Sequence, residues 1–107
     1  MLIDVRYTTN DSIYLSFSGC KCGDGVPGYF LFRSTNRCEL VDLATPPQSA
    51  CQPRTRYIYI SKDLIGYLDE RDIRPNSIYF YRLANTKLSE WIGPATIAIT
   101  KPAPPAT

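Results

Sequence analysis

The sequence contains no histidine. That absence removes the commonest general base and the commonest nitrogen ligand for zinc, and it excludes any Ser-His-Asp or Cys-His nucleophile outright. Excess charge of either sign is lacking too, because 12 Lys and Arg stand against 10 Asp and Glu. The basic residues (among them Arg33, Arg37, Arg54, Arg56, Arg71, Arg74 and Arg82) are scattered rather than gathered, so no electrostatic footprint for nucleic acid is visible. No apolar run approaches the ~20 residues of a membrane-spanning helix. The opening MLIDVRYTTNDS carries Asp4 and Arg6 where a secretory signal needs uninterrupted apolar residues. The expectation is a chain made in the cytoplasm, with neither nucleic acid nor membrane among its partners. The sequon-like Asn10-Asp11-Ser12 then has no route to glycosylation.

What is present describes one globular domain. The 107 residues leave no room for a second core, and 44% hydrophobic with 21% charged residues lies far from a disordered composition. Short extended runs rich in Tyr, Ile, Phe and Thr alternate with Pro and Gly. The strand candidates are Leu2–Tyr7, Ser12–Phe17, Tyr29–Arg33, Glu39–Leu43, Tyr57–Ile60, Ile78–Leu83 and Ala95–Thr100. Their spacing predicts an all-β, seven-stranded antiparallel sandwich. SKDLIGYLDERDI invites either a helix capped by Ser61 or a strand over Ile65–Asp69; Gly66 weakens both readings, and the strand, or a single helical turn before it, is preferred. The domain is expected over residues 1–100, with an irregular insertion at 35–56 and a Pro-rich tail, KPAPPAT, at 101–107.

Residues 73–81, IRPNSIYFY, follow the pattern apolar-x-Pro-x-Ser/Thr-x-Tyr-x-aromatic, filled by Ile73, Pro75, Ser77, Tyr79 and Tyr81. This resembles the fibronectin type III signature at the turn into the sixth strand, where proline fixes a corner and a tyrosine returns its hydroxyl to upstream backbone. SIYLSFS resembles that family's second strand, with Phe17 at the place of its usual Trp. GYFLFRS resembles the third, with Tyr29 at the usual Tyr. SEWIGPATIAIT, with Trp91, resembles the last strand and its lead-in. The resemblance implies an immunoglobulin-like sandwich without enzymatic activity. Among its single-domain members it is most similar to bacteriophage head and tail proteins, which implies a virion component.

The corner sets the parity of the strands. Tyr79, Tyr81 and Leu83 turn inward, leaving Ile78, Phe80 and Arg82 outward; Tyr29 and Leu31 inward leave Phe30 and Phe32 outward. Phe30, Phe32, Ile78 and Phe80 are therefore expected to form one outer apolar patch. Either the 35–56 segment or the tail covers it, or it contacts another molecule.

Chemistry finds little footing. Asp69, Glu70 and Asp72, alternating with Arg71 and Arg74, resemble a solvated turn whose ion pairs are worth little. GDGVPG lacks the Lys-Ser/Thr of a phosphate loop. Cys20 and Cys22, one residue apart, together with Cys38 and Cys51, lack the paired spacing of structural zinc, so no metal site and no cofactor are expected; a site using all four is the alternative. A disulfide from Cys20 or Cys22 to Cys51 and reduced thiols buried as small hydrophobes both remain open. The expected function is a non-enzymatic structural module that assembles with copies of itself or other virion proteins, as a homo-oligomer in a symmetric array. The alternative is adhesion to host carbohydrate or receptor through Tyr57, Tyr59 and Trp91.

Overall fold

The computed structural model describes residues 2–18, 28–46, 55–61 and 64–104. Seven strands lie among the described residues: β1 (Leu2–Thr8), β2 (Ile13–Ser18), β3 (Gly28–Ser34), β4 (Thr55–Ser61), β5 (Gly66–Asp69), β6 (Ile78–Ala84) and β7 (Trp91–Ile99). All pair antiparallel. One sheet has the order β1-β2-β5 and the other β4-β3-β6-β7, as an antiparallel sandwich requires.

Period-two alternation explains how the sheets meet. Ile13, Leu15 and Phe17 of β2 share one buried core with Tyr29 and Leu31 of β3 and with Tyr79, Tyr81 and Leu83 of β6. Ile3, Ile60, Ile73 and Ala98 complete it. Each large side chain so buried contributes about 1.5–3 kcal/mol of transfer free energy.

The Pro75 corner has the expected form. The Tyr79 hydroxyl accepts from the Arg74 N–H at 2.7 Å and donates to the Asp72 carbonyl at 3.3 Å. Asp72 and Asn76 take the left-handed conformation, with φ of 55° and 51°, which short polar side chains tolerate best. The Thr100 hydroxyl accepts from the Ser77 N–H at 2.8 Å and donates to the Arg74 carbonyl at 2.6 Å. The end of β7 is thereby tied to the corner.

Two elements differ from expectation. Glu39–Leu43 is not a strand; Arg37–Glu39 forms a 3₁₀ turn, and irregular chain follows it. Polar side chains just upstream divert the backbone. Ser34 Oγ accepts from the Asn36 N–H, and the Asn36 side chain accepts from the Cys38 N–H, each at 3.0 Å. The last strand begins at Trp91 rather than Ala95, because a bulge absorbs Gly93 and Pro94. Its register with β6 jumps from Leu83↔Ile92 to Tyr81↔Thr96. Gly93 supplies a φ of 81°, and Pro94, lacking an N–H, is tolerated because β7 ends its sheet.

Candidate functional site

The outer face of the four-stranded sheet is built in cross-strand rows. Phe30 lies between Tyr59 and Ala84, and Phe32 between Tyr57 and Arg82. Phe80 stands between Ser34 and Ile97, and Ile78 opposite Ile99. The rows divide the face into a sealed half and an open half.

The sealed half is a second small core. Phe32, Leu40 and Ala84 are buried together, with Phe30, Tyr57, Phe80, Leu88 and Trp91 packed around them. Phe32 stacks on Tyr57 with ring centres 5.0 Å apart and meets Trp91 edge-on at 5.4 Å. The cover is residues 37–43, with Leu40 as its plug. Arg82 holds this cover by its backbone: Nη1 donates to the carbonyls of Leu40, Val41 and Leu43 at 3.2, 3.3 and 3.3 Å. The guanidinium also lies 4.7 Å from the centre of the Trp91 ring, whose Nε1 donates to the Leu43 carbonyl at 3.0 Å. Burial lowers the Arg82 pKa from its usual value by disfavouring the charged form.

The open half is aliphatic. Ile78, Ile97 and Ile99 are 49%, 53% and 59% exposed, beside half-buried Phe80. Cross-strand pairing places these four as a rectangle at the end of β6 and β7. No charged residue occurs in β7.

The four residues expected to form one exposed patch therefore part company. Phe32 faces outward as parity required, yet it is fully buried, because the 37–43 cover occupies the space over it. Phe30 and Phe80 border the sealed half, and only Ile78 is well exposed. Ile97 and Ile99 join Ile78, which the outward parity of β7 could have revealed once Ala98 was placed inward. Of the signature residues, Phe17, Tyr29, Ile73 and Tyr79 are buried, Pro75 is exposed at its corner, and Trp91 is half-buried. Burial raises the Tyr29 pKa above the usual value. Of the aromatic trio suggested for adhesion, Tyr57 and Trp91 are engaged in the sealed half; Tyr59 is exposed, its ring edge-on to Phe30 at 6.0 Å. Cys38 carries an exposed free thiol, while Cys20, Cys22 and Cys51 lie outside the described residues. Among the described residues no group of three His, Cys, Asp or Glu is placed to hold a metal ion.

One cluster corrects the sequence reading. Asp69 is not part of a solvated turn but pairs with Arg33. Both are buried, and Arg33 Nη1 bonds the two Asp69 carboxylate oxygens at 3.0 and 2.8 Å and the Arg71 carbonyl at 2.6 Å. The Tyr81 hydroxyl donates to the same carboxylate at 2.7 Å. Burial first, then the Asp69 hydrogen bond and charge, push the Tyr81 pKa far above its usual 10.0. The signal was available: Arg33 shares the inward parity of Tyr29 and Leu31, and a charge turned inward demands a partner.

A computationally redesigned β-sandwich protein of known structure superposes on this chain with a TM-score of 0.67, covering 100% of this chain and 93% of that one at 10% sequence identity. At that identity the likeness speaks for fold alone. The fold fits a fibronectin-like or immunoglobulin-like domain. No protein-family model matches the sequence, and neither does any curated protein.

Proposed function

We propose that this chain is a non-enzymatic structural module that works by docking through the open half of its outer sheet face. One observation carries the reading: Ile78, Ile97 and Ile99 stand about half exposed together on one outer sheet face. Burying such surface against a partner releases the water that it orders, and patches of this kind mark interaction sites. The buried Arg33–Asp69–Tyr81 cluster satisfies itself internally and ties the two sheets together, so it reads as scaffold rather than as catalytic machinery.

The setting that we propose is a bacteriophage particle, in a tail, baseplate or head decoration, with copies of the chain or other virion proteins as partners. This part rests on the resemblance of the strand motifs to single-domain virion modules. Adhesion is the weaker alternative, because two of its three aromatics serve packing.

Incorporation into particles tests the proposal. In cells assembling the particle, the wild-type chain is expected in purified virions in many copies, whereas Ile97→Glu stays folded and soluble but is left out. Wild-type chain missing from the virions overturns the virion setting. Equal incorporation of Ile97→Glu overturns the docking face.

A further inference from the structure

Each sheet of the sandwich ends in two edge strands, where a row of backbone N–H and C=O groups lacks a ladder partner. Proteins normally blunt such rows, and three of the four edges here are blunted. β5 is only four residues long. β7 carries the Gly93–Pro94 bulge, and Pro94 has no N–H to offer. β1 shifts register between Val5 and Tyr7, and its Ile3 carbonyl accepts from the Thr96 hydroxyl of β7 at 2.8 Å. β4 has none of these devices. It ends its sheet, contains neither Pro nor Gly, and keeps an unbroken register with β3 from Gly28↔Ser61 to Ser34↔Thr55. Among the described residues, the backbone of Tyr57–Ile60 makes no hydrogen bond beyond that ladder.

The chemistry of such an edge sets what it accepts: only another extended chain presents N–H and C=O groups at the matching spacing. The sequence of β4, TRYIYIS, says which one. Its middle residue is Ile58. Two β4 strands paired antiparallel in full overlap set Ile58 opposite Ile58, Tyr57 opposite Tyr59 and Thr55 opposite Ser61. Aromatic pairs and Thr–Ser pairs are of the kinds that stabilise a sheet. The single charge, Arg56, falls opposite Ile60 and never opposite itself. Tyr59, 51% exposed, gains an aromatic neighbour on its open side. Ile58 borders a notch between the sheets, walled by Leu31, Arg33, Tyr67, Asp69 and Tyr81, with room for about one water. The second copy's Ile58 extends the apolar cover beside that notch and the buried Arg33–Asp69 pair.

We propose that β4 is a self-pairing edge: two copies join β4 to β4, antiparallel about a two-fold axis at Ile58. Their two four-stranded sheets then run on as one continuous sheet. The contact is isologous and closes at two copies. It uses a different surface from the Ile78–Ile97–Ile99 face and stands independently of that docking reading.

Sedimentation of the full chain carrying Ile97→Glu, which silences the aliphatic face, tests the inference. That chain is expected to form a dimer as concentration rises, and nothing larger. Adding Tyr59→Lys removes both Tyr57–Tyr59 pairs and sets a lysine on each edge, so the dimer is expected to weaken about tenfold. Amide exchange supplies a second measurement that leaves β4 unaltered, should Tyr59→Lys fail to fold by circular dichroism. The Tyr57–Ile60 amides that point away from β3 are expected to exchange more slowly at high concentration. A chain that stays monomeric at every concentration overturns the inference and leaves the edge to a strand of another protein. A dimer that Tyr59→Lys leaves intact, or one whose β4 amides do not slow, also overturns it. The incorporation of Ile97→Glu into particles judges the aliphatic face separately.

Discussion

Arg33 grips both carboxylate oxygens of Asp69 across the interior of the sandwich, from β3 in one sheet to β5 in the other. Their side chains retain only 11% and 6% exposure, so water does little to screen the pair. Removing one partner of such a pair strands a charge. Asp69→Ala is expected to cost about 3–5 kcal/mol in urea unfolding, and replacing the whole cluster, Arg33→Met and Asp69→Leu with Tyr81→Phe so that no hydroxyl is stranded, is expected to recover most of that loss. A cost below about 1 kcal/mol for Asp69→Ala would show that the pair is not a structural tie.

Tyr81 makes stability sensitive to alkali. The unfolded chain releases this phenolic proton near 10.0, whereas the folded chain holds it to a far higher pH. Its contribution is thus fully present below pH 10 and is lost as pH rises, because the unfolded state then binds fewer protons than the native one. Chemical unfolding across the alkaline range should give a falling free energy. Tyr81→Phe should be less stable at neutral pH by about 1–3 kcal/mol, having removed one of the hydrogen bonds to a buried carboxylate that Arg33 still holds, yet decline less steeply above pH ~10. An unchanged alkaline slope would assign the decline to other groups.

The corner can be tested through one oxygen. Tyr79→Phe keeps the ring and deletes the hydroxyl that accepts from Arg74 and donates to Asp72. A loss of about 1–2 kcal/mol is expected from the unpaired Arg74 N–H. Amide exchange should quicken at Arg74, and uniform exchange along the chain would speak against a local role.

The 37–43 cover depends on Leu40 for its plug and on Arg82 for its backbone anchor. Leu40→Ala should cost about 2–5 kcal/mol, as a fully buried leucine does. Arg82→Lys loses the planar guanidinium that lies over the Trp91 ring while Nη1 reaches the three carbonyls, and it should loosen the cover without unfolding the sandwich. The expected readout is faster exchange at Val41 and Asp42, with β2 and β6 unchanged.

How much of this was legible in the sequence follows from the range of the interactions. Inward Tyr79, Tyr81 and Leu83 were readable because a corner with local chemistry fixed their parity. The β5 strand at Gly66–Asp69 was expected over Ile65–Asp69 as a strand leading into the corner, although Gly66 favours neither a helix interior nor a strand. The segment after β3 was misread because Val41 and Leu43 have strand-like composition; their carbonyls go instead to an arginine about 40 residues downstream. The same distance hid the site: whether Phe32 or Ile97 faces water depends on where Leu40 lands, which no local pattern encodes. Arg33 and Asp69, 36 residues apart, could be paired only by asking what an inward charge meets.

The division of the outer face into a sealed half and an open half is tested most directly by comparing Phe32→Ala with Ile97→Ala in urea unfolding of the isolated chain. Phe32→Ala is expected to lose about 3–5 kcal/mol, as a buried aromatic does. Ile97→Ala is expected to lose about 1 kcal/mol or less, as an exposed position does. Equal large losses at both positions would make Ile97 part of the core and contradict the account.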